Sequence, residues 1–454
     1  MSEMMIPNVV IAGGGPAGLL AALLLSQRGI QSTVYERSVQ PESVFSPTSK
    51  SYSISLNPVR GLKALSVTGP EVLSAVQSKG SACNAVVMNE EEGSATFTSQ
   101  VVPRNPPNLS IWRSALIEAL EQIVSATNDE KQLTDTDAEQ NQVQAKVKIC
   151  RGVGVAGVKL VSSASKQPAT NGQVQKDNND IAHCDTSGKD EYLEVTLDDG
   201  SIIHATHVIG ADGKWSNVRT SIGEWDDCFK IKTEPSWGAR LKLSSKPAEW
   251  RDDGMYVIRR HDSKKAGYYA LAVPMLDGSC HISMVCFDEV LHEKPWLAPE
   301  INTNTGWDDD GSDSETFNEQ LESMMRSELP NLYSCIMDVE KGSFPVATKS
   351  NRRTSWLEVI AKNVDEVNYS ALGGRVALIG DAAHAMTPSL GEGCNCALES
   401  AVELVSSICE SSSGSDNASS PPTAKDLSAA FALYGRERPK AVMPIQSMSA
   451  AASR

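Results

Sequence analysis

The chain has 454 residues, 40% of them apolar and 22% charged, with 41 basic and 57 acidic side chains for a formal net charge of −16. That length exceeds one simple core and suits two or three domains, and the acidic balance argues against nucleic acid or an anionic membrane surface as a partner. The ten cysteines are scattered, with no C-x-x-C pair and no Cys/His cluster at zinc spacing, so no metal site is expected and reduced thiols in a cytoplasmic protein are the plain reading.

The first predicted element is an apolar strand at Val9–Ala12, then a glycine turn and a helix over Ala17–Arg28. A second strand, Ser32–Tyr35, ends at Glu36 and Arg37. Val9 to Leu25 is apolar enough to suggest a membrane span, but Gly13, Gly14, Gly15, Pro16 and Gly18 interrupt it, and such a run is a poor helix interior. No other stretch suits a transmembrane segment, and the leading MSEMMIPN lacks the basic region of a signal peptide.

Gly13-x-Gly15-x-x-Gly18 between strand and helix is a dinucleotide-binding pattern. Gly13 permits the tight turn, Gly15 lets a pyrophosphate approach the backbone, and Gly18 lets helix and strand pack closely. The helix N-terminus at Ala17 supplies amides and positive potential. Glu36 stands where a carboxylate takes ribose hydroxyls, with Arg37 beside it.

Leu109–Val124 has apolar residues at helical spacing and carries Arg113. Two polar stretches, 125–145 and 162–190, follow as exposed insertions, with strand-like runs at 146–150, 155–161, 192–197 and 202–209 between and after them. GVGVAG at Gly152–Gly157 repeats the glycine spacing, but no helix follows it, so it reads as a glycine-bearing strand or bulge. From about Cys228 to Val346, short alternating segments between turn signals predict an antiparallel sheet, interrupted by a polar stretch at 302–314. A helix is predicted at 316–327. An apolar strand at Val376–Gly380 then delivers Asp381, and a glycine-rich turn with Pro388 and Gly391 leads to a helix opening at Gly393, Cys394 and Asn395. A last helix spans 426–441.

The N-terminal glycine motif, GADGKWSNVR at Gly210–Arg219 and GDAAHAMTPSLGEG at Gly380–Gly393 come in the order seen in the single-component flavoprotein monooxygenases, the FAD-dependent aromatic hydroxylases, which the chain resembles. The resemblance implies an α/β fold: a Rossmann-like FAD-binding domain, residues 1–227 and 351–454, with an inserted, mainly antiparallel β-sheet substrate domain, residues 228–350. It implies one FAD held at both ends of the chain, its ADP half on Gly13–Gly18 and Glu36, its ribityl chain at Gly380–Asp381. Asp212 would lie near the pyrophosphate, Arg113 against the cofactor, and the turn at Gly393–Asn395 against the flavin ring. NAD(P)H would bind transiently beside the FAD, since no second strand–glycine–helix unit exists. Oxygen would add at the flavin C4a position and pass to an electron-rich ring.

Within that family the likeness is nearest to the kynurenine 3-monooxygenase group, on SYSISLNPVRGLKAL (51–65), the Gly380–Ser400 stretch and LYGRERPKAV (433–442). The stretch where that group carries a substrate-gripping arginine and tyrosine, GSACNAVVMNEEEGSATF (80–97), has neither and carries Glu90, Glu91 and Glu92, so a carboxylate substrate would meet repulsion there. The basic residue that opens the group's first motif is Ser51 or Tyr52 here. No catalytic side chain is assigned. His384 reads as a structural hydrogen-bonder, since no G-x-S-x-G elbow exists, and Cys394 and Cys396 read as packing residues, with a covalent flavin link left open. A second reading is a FAD-binding carrier or interaction module without oxygenase activity. A flavin halogenase would need a W-x-W-x-I-P segment that the chain lacks.

Overall fold

The computed structural model describes residues 7–40, 51–92, 96–129, 145–162, 191–223, 229–234, 237–260, 268–286, 294, 296, 314–350, 354–359, 367–387, 390–412 and 422–452. Val9–Ala12 (β1) is buried along its whole length, as a parallel strand covered on both faces must be. It pairs in parallel with Ser32–Glu36 (β2) on one side and His207–Gly210 (β10) on the other. Val376–Leu378 (β19) lies beyond β10 and the short antiparallel Ser370–Ala371 (β18) beyond that; Val147–Arg151 (β6) flanks β2.

Pro16–Gln27 (α1) is buried from Ala17 to Ser26, which fits its uniformly apolar sequence. Its leucines share one core with Arg113–Asp129 (α4), Gly393–Ser412 (α9) and Ala424–Ala451 (α10). Smaller helices fill the junctions: Gly61–Ser66 (α2), Pro70–Gln77 (α3), Asn217–Gly223 (α5) and Asp381–His384 (α8). Val155–Ser162 (β7), Glu191–Leu197 (β8) and Ile202–Ala205 (β9) form a separate antiparallel sheet.

The second large sheet has eight strands. Its order is Thr348–Ser350 (β16), Trp237–Leu243 (β12), Cys280–Cys286 (β15), Tyr268–Pro274 (β14), Gly254–Arg260 (β13), Gly80–Glu92 (β4), Thr96–Trp112 (β5) and Ser53–Leu56 (β3). All neighbours are antiparallel except β13 and β4. Alternate residues such as Leu241, Ile258, Ala272 and Ile282 form a core with helices Ser314–Glu328 (α6) and Pro330–Val339 (α7). Strand periodicity therefore turns the intervening residues, among them Arg240, Lys242, Val273 and His281, to the opposite face. Phe229–Glu234 (β11) pairs with Thr354–Val359 (β17) outside both large sheets.

Three expectations change. Leu109–Trp112 ends a strand rather than starting a helix, because it pairs with β3; α4 begins at Arg113 and runs through 125–129, which the sequence placed in a polar insertion. The second sheet draws three of its strands from residues 53–112 and is not confined to residues 228–350. The closing helix is longer than predicted and begins in a capping box between Thr423 and Asp426. GVGVAG behaves as expected, with a register shift between Val155 and Gly157. Residues 130–144, 163–190 and 302–313, predicted to be polar stretches, lie outside the described residues, as does Pro388.

Candidate cofactor site

Ala12, Gly210 and Leu378 stand in register across β1, β10 and β19, so the three motif turns leave one edge of one sheet side by side. The first turn is tight. Gly13 has φ +99°, a Cβ on it would run into the Ala211 carbonyl, and a Cβ on Gly18 would run into the Gly13 carbonyl. These two glycines are required by close approach, one between turns and one between turn and helix. The Gly13 amide donates to the Tyr35 carbonyl at 2.8 Å, and the Gly14 amide donates to Glu36 Oε2 at 2.7 Å, while Ser38 donates to Glu36 Oε1 at 2.9 Å. Glu36 is thus held at the lip of the turn. Helix α1 has no side-chain cap, with Gly15 at the N-cap and Pro16 following, leaving its first amides to an anion. Arg113 Nη2 lies 3.7 Å from where a Gly15 Cβ would stand, so a guanidinium overhangs the same place.

In the second turn Asp212 Oδ2 accepts from the Asn217 amide at 2.7 Å and the Val218 amide at 3.3 Å. Its Oδ1 is buried without a partner, and burial pushes the carboxyl above its ordinary range against the hydrogen bonds that lower it. Arg219, almost fully buried, donates to the carbonyls of Ala382 at 2.8 Å and Lys214. Burial lowers its pKa, and the carboxylates of Asp212 and Asp381 oppose that shift. One guanidinium therefore stitches the second turn to the third. Sequence reading did not single it out, although it closes the quoted motif.

Gly380 turns with φ +59°, and a Cβ there would stand 3.5 Å from Ala17 Cβ and 3.3 Å from Ala397 Cβ. The Gly380–Asp381 turn thus rests against the first turn of α1 and the start of α9. At that start, buried Asn395 accepts from the Asn57 amide at 2.9 Å and donates to the carbonyls of Ser55 at 2.9 Å and Gly391 at 3.1 Å. Its side chain ties α9 to the strand and loop before α2. Asn57 Nδ2 also bonds Glu392 at 2.9 Å. Cys394 lies within reach of the charges of Asp381 and Arg113, and burial pushes its thiol up to about 12. A Cβ on Gly393 would stand 3.7 Å from Met386 Cγ. Arg37 follows Glu36, its Cβ 3.2 Å from where a Gly154 Cβ would stand.

The remaining candidates behave as structure. His384 is fully buried, with Nε2 2.8 Å from Ser400 Oγ, and burial holds it neutral, down to about 3. Cys394 and Cys396 are both free. Among the described residues no His/Cys/Asp/Glu group could hold a metal, and no helix is long and apolar enough to cross a membrane. A cavity of about 380 Å³ lies between the second sheet and α7, lined by Asn89, Glu91 and Tyr256, but none of the motif residues line it.

Residues 7–294 and 350–426 match the family described as FAD binding domain. The chain belongs to that FAD-binding family. It is 22% identical over 408 residues to the kynurenine 3-monooxygenase of Dictyostelium discoideum, covering 89% of this chain and 70% of that one. Its fold is similar to Pseudomonas aeruginosa PqsL in complex with 2-aminobenzoylacetate (TM-score 0.61, 18% identity, 98% of this chain and 95% of that one). It is also similar to 2-methyl-3-hydroxypyridine-5-carboxylic acid oxygenase (TM-score 0.58, 19% identity, 99% and 90%). FAD is therefore the cofactor that this family membership gives the chain. The site fits FAD on its own terms: a crowded glycine turn, an uncapped helix N-terminus under an arginine, and an orphaned acid oxygen at the neighbouring turn.

Proposed function

We propose that this chain consumes NAD(P)H and O₂ to hydroxylate a small aromatic or other electron-rich substrate. The observation that carries the reading is the meeting of Gly13–Gly18, Asp212 and Gly380–Asp381 at one edge of three adjacent parallel strands, because only a long, extended ligand needs all three. Two of the similar proteins are named for small ring compounds, kynurenine and a hydroxypyridine carboxylic acid, and the third, PqsL, is in complex with 2-aminobenzoylacetate. When bound, FAD supplies the redox chemistry that takes electrons from NAD(P)H and activates O₂.

The protein's own part is placement. The amides of Ala17 and Gly18 and the guanidinium of Arg113 receive the pyrophosphate, and Glu36 takes the ribose hydroxyls. Asp381 holds the ribityl hydroxyls, and Asp212 stands by the phosphates. The backbone at Gly393–Asn395, opening the long helix α9, offers N–H groups and positive potential to negative charge on the ring. Residues 228–350, with the strands of 53–112, form the substrate side. A cytoplasmic setting, where thiols stay reduced, belongs to the same reading.

The test is purification followed by spectroscopy and turnover. A yellow protein whose NADPH oxidation rises on addition of an aromatic substrate, with an oxygen-bearing product by mass, is the expected result. Bound FAD that NADPH never reduces with any aromatic tried would support the carrier reading instead. A colourless protein that takes up no added FAD would overturn both.

A further inference from the structure

On the face of the second sheet turned away from α6 and α7, a cluster lies at the seam with the FAD-binding unit, one residue before Arg113. Trp112 ends β5 and His281 lies on β15, their ring centroids 4.9 Å apart and tilted by 60°. They are 7% and 3% exposed, and neither Trp112 Nε1 nor His281 Nε2 has a hydrogen-bond partner. Buried polar atoms nearly always find partners, so two orphans in one ring contact point to a missing ligand. Ser53 Oγ is 2.8 Å from His281 Nδ1. With the hydroxyl donating to Nδ1, the ring proton stands on Nε2, and both orphaned atoms are then donors.

The surrounding charge has one sign on its near side. Lys242 Nζ stands 5.5 Å from the Trp112 ring centroid, and Arg240 donates to the Ser51 carbonyl at 3.3 Å. Burial, then the charges of Arg240 and Lys242, hold His281 neutral, pushed down to about 3. Asp277, 3.5 Å from Lys242, is the acid that partners this group. The apolar wall is Val273 and Met275, which pack with Trp112. Glu91, by contrast, points to the other face, where it accepts from the amides of Asn331 and Leu332 at 3.1 and 3.0 Å. The acidic run expected to repel a carboxylate therefore does not put Glu91 on this side.

We propose that Trp112 and His281, oriented by Ser53 and backed by Arg240 and Lys242, form an oxyanion subsite for the carboxylate of an aromatic acid. Two N–H donors suit two carboxylate oxygens, and charge-assisted hydrogen bonds in a dry site are the strong ones. The proposal rests on the monooxygenase reading and names the substrate class for it.

The test is calorimetric titration of the FAD-loaded protein with benzoate and with benzamide, which share a ring and differ in charge. Benzoate is expected to bind about tenfold tighter or more. Trp112→Phe and His281→Phe, which keep a ring and remove the donor, are expected each to weaken benzoate about tenfold and leave benzamide unchanged. Ser53→Ala is expected to weaken benzoate less. Equal affinity for the two probes, no saturable benzoate binding, or unchanged benzoate affinity in both phenylalanine variants overturns the proposal. Circular dichroism identifies a variant that does not fold, and if His281→Phe is one, the ring-conserving Trp112→Phe decides. Protein that takes up no FAD but prefers benzoate in this way would overturn the monooxygenase reading and leave the subsite standing. Retained FAD without the preference does the reverse.

Discussion

Arg219 is the residue on which the cofactor edge turns. Its guanidinium reaches the carbonyls of Lys214 and Ala382 and lies in the field of Asp212 and Asp381, almost out of solvent. Arg219→Met would strand both carbonyls and leave the half-buried Asp212 and Asp381 without their neighbouring cation, a loss of about 3 kcal/mol. Arg219→Lys would restore the charge but not the fork that spans two turns, so recovery should be partial. Urea unfolding measures the first effect and FAD retention on gel filtration the second. Cys394 yields a different expectation. With its thiol pushed up to about 12 and that of Cys396 to about 11, both by burial, neither is a thiolate at pH 8, so iodoacetamide should leave them unlabelled in native protein. Acid precipitation should then release the flavin into the supernatant, since neither of these two thiols is poised to bind it covalently. Gly13, Gly18, Glu36 and Asp381 were legible because their chemistry is local: turn, close approach, acid at a strand end. Arg219 was not singled out because an arginine in a short helix is usually solvated, and only the fold buries it.

At the scale of elements, a few ties set where the site-forming segments sit. Asn395 links α9 to Asn57, Ser55 and Gly391 through one buried amide. Asn395→Ala leaves the Asn57 amide and two carbonyls unpaired and is expected to cost about 2 kcal/mol, with FAD affinity falling because the turn before α9 loosens. Thr423→Ala, which breaks the box at the start of α10, should cost about 1 kcal/mol and leave FAD affinity alone, a contrast that urea midpoints and flavin titration together would resolve. The first β-α-β unit could be read directly, since a fully apolar run, a glycine turn and an acid-tipped strand agree with one another. The start of α4 could not. LSIW fits a helical period as well as a short strand, and its strand state comes from pairing with β3, a partner more than fifty residues earlier. The same long-range pairing hid the membership of β4 and β5 in the second sheet, because sequence periodicity reports which face is apolar and not which strand lies alongside.

For the whole molecule, three buried histidines set an acid limit. His207, His281 and His384 are each held down to about 3, with burial the first cause. Their ordinary value is about 6.5, so below that pH the unfolded chain binds protons that the folded chain refuses. Stability therefore falls as pH drops from about 6.5 towards 3, by roughly 2 kcal/mol per histidine at pH 5. Glu91 and Asp212, whose carboxyls burial raises, act in the opposite direction and offset part of the loss. A urea midpoint that drops between pH 7 and pH 5 is the expected measurement, and His207→Gln should flatten that drop by about a third.

The neighbouring positions of β1, β10 and β19 also constrain how the protein comes into being. A ribosome releases the first glycine turn early, but its companion at Asp381 emerges several hundred residues later, and Asn395 later still. Until then the nascent chain holds an open half-clasp that cannot close on a nucleotide, so uptake of the prosthetic group must await synthesis of β19 and the start of α9. Stalled polypeptides ending before β19 would accordingly emerge without flavin, however well their opening β-α-β unit had folded.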